Sequence, residues 1–186
     1  QPVMETFHCS SLIKILSISK NNIIAEMDDE HATNFWTFVF DCILATDMGQ
    51  HKKIIEEAEA KLNNSNGSFD LKNPQNKQLL LKLLVKCAVH SRVARIFDPK
   101  QSWSCSLCEE AFPEITHNSG ESVVSAKVND VLVAKGQIEY VQNYGVPLFT
   151  ILGRMIPELQ NLGDQVRVNL KKWKEFTVDP NENGKK

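Results

Sequence analysis

Asn73-Pro74, followed by Leu79, Leu80, Leu83, Leu84, Cys87 and Ala88, is the feature that most limits what this chain can become. Asn accepts hydrogen bonds from the free amides of a first helical turn, and Pro fits that turn because its missing donor is not needed there. The apolar residues recur at spacings of three and four, which makes one wide helical face and predicts a central core helix up to about Ala88. Such a face needs partners, and the rest of the chain offers helices. Met4, Phe7, Leu12, Ile15 and Leu16 share one face over residues 4–16. Phe35, Phe38, Val39, Cys42 and Ile43 form a buried run that passes into an amphipathic stretch, with Ile54, Ile55 and Ala58 opposite Glu56, Glu57, Glu59 and Lys61. Asp98-Pro99 is a second capped start, opening a helix with Trp103, Leu107, Cys108 and Phe112 that Pro113 ends. Residues 114–129 read as a long loop, and residues 131–151 as a helix kinked at Pro147. Pro157 opens a short segment ended by Gly163, and Asp164 caps a last helix carrying Val168 and Trp173. No repeat and no strand pattern emerges, so the fold class is all-α, multi-helix.

Charge then narrows the partners. With 21 basic and 23 acidic residues and a formal charge of -2, no large basic field exists to hold a nucleic acid or an anionic membrane surface. The longest apolar stretch, Phe38 to Phe40 extended beyond Asp41 by Cys42 to Ala45, falls far short of the roughly 20 residues of a membrane span. Five cysteines are an odd number, and Cys42 and Cys87 sit in apolar helical stretches as small hydrophobes, which fits a reducing, cytoplasmic setting. Cys105-x-x-Cys108 lacks a second pair, so packing is the better reading than zinc or redox chemistry. His31, His51 and His117 read as exposed and without a role, and Lys171, Lys172 and Lys174 as a solvated face. The start carries no signal peptide pattern, and the expectation is that the chain opens mid-domain. Residues 1–176 are expected to form one partial domain and residues 177–186 a disordered polar tail, with homo- or hetero-oligomerisation left open.

Several segments taken together resemble a known family. Leu44-Ala-Thr-Asp-Met48 matches a Leu-Ala-Thr-Asp-Met/Leu motif, Val3-Met-Glu5 followed by His8 is similar to Leu-Glu-Asn-His-His, and Gln137-x-x-Tyr140 is similar to Gln-x-x-Phe. Cys87-Ala-Val-His-Ser91 stands where the pattern has Cys-Ala-Asp-Leu-Ser. These motifs, in order, resemble the later part of the catalytic domain of class I cyclic-nucleotide phosphodiesterases. That all-helical family of hydrolases opens the 3′ ester of cyclic AMP or cyclic GMP at a zinc and magnesium centre and serves signal transduction.

The resemblance implies roles position by position. Gln137 would bond the purine edge, Tyr140 would stack on the base where the family has Phe, and Leu107 would clamp the other face. Glu5 would orient metal-bound water, Thr46, Asp47 and Met48 would line the pocket floor, and Trp103 would pack beside it. Three departures weigh against hydrolysis. No histidine is followed by Asp, Val89 stands at a metal-ligating Asp, and Arg92 stands at an Asn that contacts ligand. His90 offers a nitrogen, but one residue along a helix is about 100° around it. The expectation is thus a phosphodiesterase-like chain with no metal held by its own residues and with impaired hydrolysis, a pseudoenzyme. Its rivals are a non-catalytic nucleotide-binding or scaffold module, and an active enzyme that tolerates Val89.

Overall fold

The computed structural model of the chain describes residues 2–64, 69–97 and 133–176. The expected helix with Trp103, Cys105, Leu107 and Cys108, the loop with His117 and the tail at 177–186 lie outside the described residues. Two compact units account for the described parts, one drawn from Gln1–Ser91 and Ile151–Pro157, the other from Arg92–Thr150 and Glu158–Lys186. Every regular element among the described residues is helical, as the periodicity predicts.

The first unit holds α1 (Val3–Leu16), α2 (Asp29–Leu44), α3 (His51–Asn64) and α4 (Pro74–Val89). Helix α1 packs on α2, and both α2 and α3 pack on α4. The cap reads as predicted, since the Asn73 side chain accepts from the amides of Gln75 and Asn76 at 2.9 and 3.3 Å. Leu79, Leu80, Leu83 and Cys87 are buried, which makes α4 the core helix of this unit. Burial pushes the Cys87 thiol up to about 12, so it behaves as an apolar filler. Asn73→Ala is expected to lower stability by about 1 kcal/mol, read as a shift of the urea midpoint with an unchanged slope.

Two apolar segments are less covered than their patterns predict. On α1, Met4, Phe7 and Ile15 are 60%, 62% and 52% exposed, and only Leu16 is buried. Val3 and Ile13 on the same helix are exposed too, so apolar side chains run around it and one neighbour cannot cover them. On α2 no residue is buried, and Phe35, Phe38, Val39, Cys42 and Ile43 are half-buried because α1 and α4 cover only part of its circumference. Helix α3 is amphipathic as predicted, with Ile54, Ile55, Ala58 and Leu62 buried. His31 is exposed as expected and pairs at 2.8 Å with Asp28, the residue that caps α2.

In the second unit α5 (133–140) runs into a π-helical turn, Val141–Gly145, and then into α6 (Val146–Met155), whose residues 151–155 count with the first unit. Pro147 lies inside this continuous helical run, two residues after the π-helical turn, whose wider spacing accommodates a residue without an amide. A 3-10 turn at Pro157–Leu159 precedes α7 (Gln160–Phe176). Gly163 therefore does not end a segment and Asp164 caps nothing. Both lie inside α7, because a Cβ on Gly163 would come within 3.1 Å of the Phe149 carbonyl oxygen, so glycine serves close packing there. Asp164 pairs with Arg167 at 3.3 Å instead. The buried Asn169 amide ties α7 to the chain after α4 by donating to the carbonyls of Val93 and Arg95 at 2.8 and 2.7 Å.

Candidate functional site

In the first unit the segment after α2 turns through Ala45, Thr46 and Asp47 into a 3-10 turn, Met48–Gln50. The Asp47 carboxylate accepts from the Gly49 amide at 2.9 Å and so caps that turn. The Thr46 hydroxyl donates to the Ile43 carbonyl at 2.7 Å, and Met48 is half-buried. Sequence reasoning asked for a buried partner or a function to explain Asp47, but this residue is only half-buried, and the buried charge beside its turn is Lys86. Its side chain is 0% exposed, and its Nζ donates to the carbonyls of Ala45, Thr46 and Asp47 at 3.0, 3.3 and 3.0 Å. An ammonium has three N–H donors and a neutral amine two, so three acceptors match the charged form. Burial lowers the Lys86 pKa, while Asp47 and then Glu5 raise it again. Glu5 and Asp47, the two acids singled out from the sequence, are thus brought within electrostatic reach of one ammonium.

His51 departs from expectation. It is 4% exposed and opens α3 on the stripe that Ile54, Ile55, Ala58 and Leu62 continue. Burial, and after it the charge of Lys86, lower its pKa to about 4. Both residues carried a legible signal. His51 lies three and four positions before Ile54 and Ile55, and Lys86 lies three after Leu83 and seven after Leu79, so each falls on an apolar face by period.

In the second unit Gln137 is 7% exposed on α5, and Tyr140 follows one turn later, half-buried. The Arg92 guanidinium lies over the Tyr140 ring, 4.8 Å from its centroid, and is hydrogen-bonded to this side chain. The Tyr144 ring stands 5.6 Å from that of Tyr140, tilted by 43°. Burial raises the Tyr140 pKa, and Arg92 acts against that rise. Gln137 and Tyr140 thus stand three residues apart on one helix. Leu107, the expected second clamp, lies outside the described residues.

Among the described residues, the ligands of a two-metal centre are not assembled. Val89 ends α4 with its side chain 58% exposed and no lone pair to offer. His90 is buried as the C-cap of α4, its amide donating to the Lys86 carbonyl at 3.0 Å. Among the described residues no group of three or more His, Cys, Asp or Glu side chains is arranged to hold a metal. No described helix is long and apolar enough to cross a membrane.

These elements define an all-helical fold of the kind seen in phosphodiesterase domains. The phosphodiesterase domain of the RhoPDE fusion protein from the choanoflagellate Salpingoeca rosetta superposes with a TM-score of 0.76 at 23% identity, over 94% of this chain and 56% of that one. A family model described as 3′5′-cyclic nucleotide phosphodiesterase matches residues 1–166, and the chain belongs to that family. The high affinity cGMP-specific 3′,5′-cyclic phosphodiesterase 9A of Mus musculus is 28% identical over 160 residues, 84% of this chain and 29% of that protein. The 3′,5′-cyclic-nucleotide phosphodiesterase regA of Dictyostelium discoideum is 27% identical over 180 residues, 94% of this chain and 22% of its own length. The chain therefore spans under a third of these curated relatives.

Proposed function

We propose that this chain is the nucleotide-recognising part of a cyclic-nucleotide phosphodiesterase domain, that it binds cyclic AMP or cyclic GMP, and that its hydrolysis is impaired. The observation that carries the reading is the pair on α5, a buried Gln137 amide one turn before the half-buried Tyr140 ring. An amide offers a donor and an acceptor to a purine edge, and a tyrosine ring offers a face for stacking. The cyclic nucleotide for which these relatives are named is the ligand class this pair suits. Impairment rests on Val89, since two-metal hydrolysis needs ligands that hold both ions against the attacking and leaving oxygens. Zinc or magnesium bound by other residues would supply that chemistry, and this chain's described side chains would not. The roles that the resemblance implies for Glu5, Asp47, Thr46, Met48 and Leu107 stay part of the proposal.

Calorimetric titration with each cyclic nucleotide tests the recognition half. Gln137→Ala is expected to weaken binding by about 0.5–1.5 kcal/mol through lost hydrogen bonds. Tyr140→Ala is expected to cost at least as much, because the ring contributes area as well as stacking. Affinities unchanged in both variants would contradict the assignment of the pair.

A further inference from the structure

Arg92 holds a position unlike that of the other well-placed arginines. Arg167 faces the Asp164 carboxylate at 3.3 Å and Arg154 donates to the Asn63 side chain at 3.0 Å, whereas Arg92 rests on the Tyr140 ring at 4.8 Å. Among the described residues no carboxylate forms an ion pair with Arg92. A ring face attracts a cation without neutralising it, so the guanidinium keeps its charge and its remaining N–H donors for another acceptor. Its planar fork suits a phosphate, and a phosphate is the one charged group of a cyclic nucleotide. The ring beneath it is the one on which the proposed base would stack. Arg92 also stands where the family pattern has Asn, so the charge belongs to this chain and not to the pattern.

We propose that Arg92 is a specificity-determining residue that reads the anionic phosphate of the ligand stacked on Tyr140. The proposal rests on the nucleotide-binding reading above and adds to it a preference for nucleotide over the neutral nucleoside. The guanidinium fork takes the phosphate oxygens while the tyrosine ring holds the base.

The test is competition binding of cyclic GMP against guanosine, and of cyclic AMP against adenosine, to the intact chain at low and high salt. Wild type is expected to prefer each cyclic nucleotide, and the preference is expected to shrink as salt rises. In Arg92→Asn the cyclic-nucleotide affinity is expected to fall about tenfold with nucleoside affinity unchanged, and Arg92→Lys is expected to retain part of the preference. Equal loss of nucleotide and nucleoside binding in Arg92→Asn assigns Arg92 a structural role and overturns the proposal. A preference that is insensitive to salt in wild type overturns it without any variant. Wild type that binds nucleosides but gains nothing from the phosphate overturns the Arg92 proposal alone. Absence of binding by nucleotide and nucleoside alike overturns the nucleotide-binding reading, and this proposal with it.

Discussion

Replacing Lys86 with methionine is expected to destabilise the protein by about 3–5 kcal/mol, because the change removes a buried cation's donors and keeps all three of its acceptors. The methylene stem is retained, so the loss of packing is small. The carbonyls of Ala45, Thr46 and Asp47 would be left at a site where the side chain between them is 0% exposed. Such a loss is a large share of the roughly 5–15 kcal/mol by which native proteins are stable. Urea unfolding reads it directly. A midpoint within error of wild type would show that water or another donor replaces the ammonium, and that Lys86 does not hold the turn that carries Asp47.

The second large effect is on pH. His51 has its pKa lowered to about 4 by burial and by the Lys86 charge. In the unfolded chain a histidine takes its proton near pH 6.5, so between that value and about 4 the unfolded state binds the extra proton. The stability held above pH 6.5 is therefore lost as pH falls toward 4, by about 3 kcal/mol from this group. A neutral, non-titrating His51→Gln variant should lose this part of the acid sensitivity and retain the part due to carboxylates. Urea midpoints at pH 7 and pH 4.5 compare the two proteins. Equal losses in both would place the acid sensitivity elsewhere.

Much of the helical architecture was legible because its signals are local. Asn73-Pro74 states its cap in two residues, and the α3 and α4 stripes state their faces in the spacing of Ile54, Ile55, Ala58 and Leu79, Leu80, Leu83. What failed to transfer was whatever depends on neighbours. The exposure of Met4 and Phe7 depends on how little α2 covers, and no periodicity contains that. Gly163 and Asp164 read as a stop and a cap because those residue types favour termini, yet close approach to the Phe149 carbonyl puts glycine inside a helix. Residue type outweighed period at His51, whose position on a buried stripe was visible but whose polarity argued for solvent. Gln137 and Tyr140 were singled out through the family resemblance of their motif. The contact of Arg92 with Tyr140 was not, since residues 48 positions apart meet only through the fold.

Recognition of a cyclic nucleotide with impaired hydrolysis is what we propose for this chain. Equilibrium dialysis of labelled cyclic GMP and cyclic AMP against the chain, followed by chromatography of what was bound, tests both halves in one sample. Saturable binding of at least one of the two is expected, with the ligand recovered as the intact cyclic nucleotide. Recovery of the 5′-nucleotide would contradict the impairment argued from Val89, and no binding at millimolar ligand would contradict the recognition argued from Gln137 and Tyr140.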